Sequence, residues 1–303
     1  MNIHPRCYPC QLKRVLSELR LCDLSLEEEL DIAKKMVKFY GECNEKRSSW
    51  LGCAARDELA ELTGKKDPYA KIKMEANRFA LKLIPKFKTY LNSLQDEYIK
   101  FEKACLGAVI GNQMEFFLIE HEFNLKFPKP FVEMLKEQEF SRNDLKKVFH
   151  LLKGAENILI LPDNAGEIAF DKVLIEVIKE LFPHIKITVA VKPEPIINDA
   201  TLEDAKMVEI DQMDDDVDLI DTGVNSIGLF LQKTSETFRS VWNNSDLIMK
   251  KGMGHAETRD ELGEAPPCPV LYLLRIKCTT VGELLDAELK QNIALLDEFH
   301  HNP

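Results

Sequence analysis

The tract Asn157-Ile-Leu-Ile-Leu161 does most to limit what this chain can fold into: a short apolar run that stops at Pro162-Asp163-Asn164-Ala165-Gly166-Glu167 and gives way to helical periodicity from Ala169 to Phe182. A run of this length, with a turn after it and an amphipathic segment beyond, reads as strand, loop and helix. The unit recurs. Ile185-Lys-Ile-Thr-Val-Ala-Val191 gives a second strand, Met207-Val-Glu-Ile210 a weaker third, Val217-Asp-Leu-Ile220 a fourth, Leu247-Ile-Met249 a fifth and Val270-Leu-Tyr-Leu-Leu-Arg-Ile276 a sixth. Strands alternating with helices predict an α/β domain with a mainly parallel, Rossmann-like sheet in three layers, covered on both faces. In such sheets ligands bind outside the carboxyl ends of the strands, so a functional residue is expected at a strand tip.

Upstream of Lys153-Gly154 the pattern changes. From about residue 10 to 150, apolar residues recur three and four apart with almost no β-branched runs, which predicts helices. Ser25-Leu-Glu-Glu28 is a capping box that opens a helix towards Tyr40, and a polar helix is expected over Glu137 to Leu152. The chain is therefore expected to divide into an all-helical N-terminal domain, residues 1–153, and an α/β domain, residues 154–303, whose strand tips are where chemistry is expected.

Charge narrows the partners. With 40 Lys and Arg against 51 Asp and Glu, the net charge of -11 argues against a nucleic-acid binder, and positive charge for an anionic substrate must be built locally. No apolar stretch approaches the roughly 20 residues that span a bilayer, and the start MNIHPRCYPC lacks a signal-type apolar run, so a cytoplasmic protein with no membrane partner is expected. In that setting the eight cysteines are expected to be reduced. Cys7 and Cys10 alone have a suggestive spacing, as a second metal site with His4 or Cys53 as further ligands, as a redox-labile pair, or as plain packing residues.

The strand tips carry the chemistry. Asp163 and Asn164 offer oxygen ligands to a hard divalent cation, and the helix opening near Gly166 and Glu167 offers N–H groups to a phosphate, although Asp and Asn also serve plain turns. The second strand ends in Lys192-Pro-Glu-Pro-Ile-Ile-Asn198-Asp199-Ala-Thr201, and Asp199 from that neighbouring tip can complete the oxygen set, or simply cap the helix over Ala200 to Lys206. Asp221-Thr222-Gly223 ends the fourth strand, and Lys250-Lys251-Gly252, followed by His255 and Glu257, ends the fifth. Lys251 can offset phosphoryl charge, with Thr222, Gly223 and Glu257 as further substrate contacts.

Asp163-Asn-Ala-Gly-Glu167, Lys192-Pro-x-Pro-Ile-x-Asn-Asp-Ala-Thr201 and Asp246-Leu-Ile-Met-Lys-Lys-Gly252 together resemble the damage-control phosphatase family, catalogued as domain of unknown function 89. Cys7-x-x-Cys10, Asp67-Pro-Tyr69 and Gly111-Asn112 resemble its archaeal and bacterial subgroup. The resemblance covers nearly the whole chain. It implies divalent-metal-dependent hydrolysis of small phosphorylated metabolites, with magnesium, manganese, cobalt or nickel held by Asp163, Asn164 and Asp199, Lys251 on the phosphate and Glu167 beside them. His255, Glu257 and Glu115 depart from the family pattern. Two alternatives stand beside this expectation, an S-adenosylmethionine-dependent protein carboxyl methyltransferase and a non-catalytic sugar-phosphate binding protein. The single glycine between Asn157 and Glu167 disfavours the first, because a nucleoside site of that type wants a glycine-rich turn.

Overall fold

The structure, a computed structural model, describes residues 1–119 and 122–298. The chain opens with α1 (Cys7–Leu19), α2 (Leu26–Glu42), α3 (Ser48–Thr63), α4 (Ala70–Asn92) and α5 (Glu97–Ile110). The capping box forms: Ser25 Oγ accepts the Glu28 amide at 3.3 Å and Glu28 Oε2 accepts the Ser25 amide at 2.8 Å. A hairpin follows, β1 (Glu115–Ile119) antiparallel to β2 (Glu122–Lys126). Beyond it come α6 (Phe131–Glu137), β3 (Phe140–Asn143), α7 (Leu145–Leu152), β4 (Asn157–Leu161), α8 (Glu167–Leu181), β5 (Lys186–Val191), α9 (Leu202–Met207) and β6 (Val217–Asp221). The chain then runs through α10 (Glu236–Asn243), β7 (Leu247–Lys251), α11 (Gly252–Glu257), β8 (Val270–Arg275), α12 (Thr279–Leu285) and β9 (Asn292–Asp297). Among the described residues no helix is long and apolar enough to cross a membrane.

Seven strands form one sheet in the order β3-β9-β8-β7-β4-β5-β6. All neighbours are parallel except β8 and β9, so β9 and β3 run against the other five. The chain leaves β4 for β5 and β6 on one side and returns to β7 and β8 on the other. Strand order thus reverses between β4 and β7, and the crevice at their carboxyl ends is where an open parallel sheet binds its ligand.

Three apolar clusters organise the interior. One packs α4, α5, α7 and α8 onto one face of the sheet and runs from Ala76 to Leu296, crossing residue 153. A second covers the other face around Phe238, Trp242 and Tyr272. The third belongs to α1–α3 alone, with Val15, Met36, Leu51 and Ala55 at its centre.

Three expectations are corrected. The helical pattern expected to run to about 150 is interrupted at Ile110, where a 3-10 turn leads into the hairpin, and resumes in α6 and α7. The single helix expected over Glu137 to Leu152 is broken by β3, whose Phe140 is buried while Ser141, Arg142 and Asn143 are exposed, an edge strand that exists only because β9 pairs with it. Met207-Val-Glu-Ile210 is no strand. Thr201 and Asp204 form a capping box that starts α9, the helix takes Met207, and a 3-10 turn takes Ile210.

Candidate active site

The loop after β4 and the loop after β5 are tied together by their backbones. Ala165 N donates to Asn198 O at 2.9 Å, Ala200 N donates to Asp163 O at 2.8 Å, and Asn164 and Asp199 form an isolated antiparallel bridge. Asp163, Asn164 and Asp199 are thereby brought to one place. Asp163 Oδ2 accepts from Asn164 Nδ2 at 2.7 Å and from Asn112 Nδ2 at 2.7 Å, the latter reaching in from the turn after α5. Among the described residues no hydrogen bond engages Asp163 Oδ1 or Asn164 Oδ1.

Electrostatics make this a site short of positive charge. Burial, then the neighbouring Glu167 and Asp199, hold the Asp163 carboxyl well above the ordinary carboxylate range. Burial likewise pushes Asp199 up to about 6, against the pull of Lys192 and Lys73. Two crowded carboxylates, each costly to ionise, and two unengaged oxygens are a donor set suited to a hard divalent cation. Carboxylates number only two here, and among the described residues no group of three or more His, Cys, Asp or Glu side chains is arranged to hold a metal. The third protein ligand would be the Asn164 amide oxygen.

Gly252 explains how the Asp163 carboxylate fits. At φ +78°, this glycine starts the turn after β7, and a Cβ there would lie 2.0 Å from Asp163 Oδ2. Only a residue without a side chain lets the two strand tips meet so closely. The same carboxylates border a cavity of about 300 Å³ whose other walls include Arg275 and Lys277 from the end of β8, His255, Glu257, and Gln11, Arg14 and Ser48 from the N-terminal helices. Arg275 donates to Asn292 Oδ1 at 2.9 Å, and Lys277 to Asn112 O at 2.6 Å. Both cations hydrogen-bond to neutral oxygens and neither has a carboxylate ion pair among the described residues; burial lowers the pKa of each, while the nearby Glu167 and Asp163 favour the charged form of Lys277. These two residues were missed in the sequence, where the apolar run through Ile276 masks an alternation that puts Arg275 and Lys277 on one side.

Other candidates lie elsewhere. Lys251 does not line the cavity: its Nζ donates to Ala108 O at 3.0 Å, Glu167 Oε1 at 2.7 Å and Asp171 Oδ1 at 2.6 Å, which uses all three donors. Burial works against its ammonium, but Asp171 and Glu167 outweigh burial and hold its pKa above the usual value. Glu167 sits beside the site, bridging Lys251 to Asn164, whose Nδ2 donates to Glu167 Oε2 at 3.1 Å. The Gly166 amide donates to Asn77 Oδ1 at 2.6 Å and is not free for phosphate. Thr222 donates to Val224 O at 3.0 Å and Gly223 backs onto Ser235, both off the cavity. Glu257 does line it, accepting from Ser48 Oγ at 2.8 Å. His255 is buried there with Nδ1 unpartnered, its ring held neutral by burial and by Lys192 and Lys250. Cys7 is buried and Cys10 exposed at the start of α1, both as free thiols.

Known proteins resemble the chain along its whole length. The sequence model of the damage-control phosphatase ARMT1-like domain matches residues 3–293. An uncharacterised protein of Methanocaldococcus jannaschii, MJ0202, is 31% identical over 301 residues, 97% of this chain and 95% of its own. The damage-control phosphatase PH1575 of Pyrococcus horikoshii is 30% identical over 304 residues, 99% of each chain. The crystal structure of that DUF89 family protein superposes with a TM-score of 0.80 at 26% identity, covering 97% of this chain and 99% of the other. A match that spans the helical segment and the sheet together leaves one assignment: this chain belongs to the damage-control phosphatase ARMT1-like family.

Proposed function

We propose that this chain is a divalent-metal-dependent phosphomonoester hydrolase acting on small phosphorylated metabolites, sugar phosphates and damaged phosphometabolites among them. One observation carries the reading: at the crevice where strand order reverses, Asp163, Asn164 and Asp199 line one cavity together with Arg275 and Lys277, neither of which is in a carboxylate ion pair among the described residues. Asp163, Asn164 and Asp199 would hold magnesium, manganese, cobalt or nickel. When bound, such an ion polarises a phosphate oxygen and makes water a better nucleophile.

The chain's own residues do the rest. Lys277 and Arg275 bind and orient the phosphoryl oxygens and offset the charge that grows on them. Asn112 fixes one oxygen of Asp163 and, through its backbone carbonyl, the ammonium of Lys277, so a single side chain aligns the acidic and basic halves of the site. Glu167 and Lys251 lie beneath, holding Asn164 in orientation. Residues 1–153 supply Gln11, Arg14, Ser48 and Asn112 to the cavity and residues 154–303 the metal ligands, a division of labour between substrate selection and chemistry. Cys7-x-x-Cys10 supports the archaeal and bacterial subgroup, and eight free thiols support a reducing, cytoplasmic setting.

The test is hydrolysis of p-nitrophenyl phosphate by chelator-stripped protein with each of the four metals, beside Asp163→Ala. Metal restores activity and raises the melting temperature of the native protein and does neither for the variant. Inactivity of folded protein with every metal overturns the proposal.

A further inference from the structure

Helix α2 carries two apolar faces where a surface helix needs one. Ile32, Met36 and Tyr40 point into the α1–α3 core, as an amphipathic helix requires. Leu26, Leu30 and Val37 lie outside it, 73%, 53% and 53% exposed. With Ala33, half-buried where the stripe meets the α1–α3 core, they fall at i, i+4, i+7 and i+11, the spacing of a coiled-coil seam. Single exposed leucines are ordinary, but a stripe along one helix marks a contact surface.

Charge says what covers it. Along one edge of the stripe run Glu27, Asp31, Lys34 and Lys38, acidic in the first half of the helix and basic in the second. A partner of one charge sign would be attracted at one end and repelled at the other. A second copy of the same helix running antiparallel is attracted at both. We infer that this chain forms a two-fold dimer in which α2 packs antiparallel on α2 of a second copy. Leu26 then meets the partner's Val37 and Leu30 the partner's Ala33, each contact occurring twice by symmetry. Glu27 faces the partner's Lys34. Among the described residues Glu27 and Lys34 have no ion partner in their own chain, whereas Asp31 pairs with Lys35 at 2.8 Å and Lys38 with Glu42 at 3.9 Å.

One helix face is a small interface, of the size that weak and transient assemblies use, so the dimer is reversible. No α2 residue lines the cavity, and the site stays open in either state.

Sedimentation of the full chain across the micromolar range tests this. The mass rises with concentration from the 34.7 kDa of one chain to twice that. Leu30→Glu, at an exposed position that leaves the melting temperature in place, keeps the protein monomeric throughout. Lys34→Glu weakens the dimer by about tenfold, because two attractive contacts become repulsive, and adding Glu27→Lys to it restores the native affinity. A monomer at every concentration, a dimer indifferent to Leu30→Glu, or a charge swap no better than the single reversal overturns the inference.

Discussion

Asp163 can lean against the β7 tip only because Gly252 is there. In Gly252→Ala, the left-handed φ costs about 1–2 kcal/mol and the new Cβ must push the carboxylate away from where Asn112 and Asn164 hold it. The expected result is a folded protein whose kcat/KM for p-nitrophenyl phosphate falls by on the order of a hundredfold, with weaker metal binding by calorimetry. Unchanged metal affinity would show that Asp163 is not a ligand. Asn77 acts one step back: wholly buried on α4, it accepts the Gly166 amide and donates to Asp204 Oδ1 at 2.8 Å, joining the loop after β4 to the helix after β5. Asn77→Ala strands a buried amide and should lower stability by about 1–3 kcal/mol, read as a lower urea midpoint at unchanged slope. At this scale the meeting of Asp163, Asn164 and Asp199 was legible, because each lies in the loop after an apolar run and neighbouring parallel strands bring such loops together. The lysine pair was not. Neighbouring strand residues face opposite sides, and Lys250 and Lys251 are both buried, Lys250 over the Trp242 ring at 4.8 Å and Lys251 among carboxylates.

On the proposed function, the tips of β7 and β8 divide two jobs, support and phosphate binding, between Lys251 and Lys277. Lys251, at the end of β7, supports the site from below, and Lys251→Met would leave Glu167 and Asp171 buried without a cation. Such a broken buried pair costs about 3–5 kcal/mol, so this variant should lose much of its stability. Lys277 stands at the exposed rim beyond β8, and Lys277→Met should leave the melting temperature within a degree or two while raising KM for a phosphate ester about tenfold. If the two variants behave the other way round, Lys251 is the phosphate ligand and the burial argument fails. The strands that carry these tips were readable for a physical reason: β4, β5, β7 and β8 are covered on both faces and show as continuous apolar runs. β3 was missed because it is defined by pairing with β9 across some 150 residues of chain, which no local pattern reports. The Ile293–Leu296 run of β9 is, by itself, too short to tell from the last turn of a helix.

Taken whole, the molecule is a sheet body with a small helical cap. Helices α1–α3 have their own core, while α4 and α5 pack against α8 and share the core of the sheet. The cap reaches the body through polar contacts around the cavity: Ser48 on Glu257 at 2.8 Å, Ser49 on Glu261 at 2.9 Å, and Trp50 Nε1 on the same carboxylate at 3.1 Å. Gln11 is the cap residue best placed to read a substrate. Its Nε2 is fixed on Ser48 O at 2.8 Å, which holds the amide plane still, and its Oε1 is buried at the cavity wall with no donor. An orphaned acceptor of that kind gains most from a hydroxyl group on the bound molecule, and one such bond is worth about 1 kcal/mol. Gln11→Ala should raise KM for a sugar phosphate by roughly three- to tenfold, yet leave p-nitrophenyl phosphate, which has no hydroxyl to offer, nearly unaffected. Equal losses on the two substrates would mean that Gln11 only props the cap, and that selection among phosphorylated metabolites is made by the body alone.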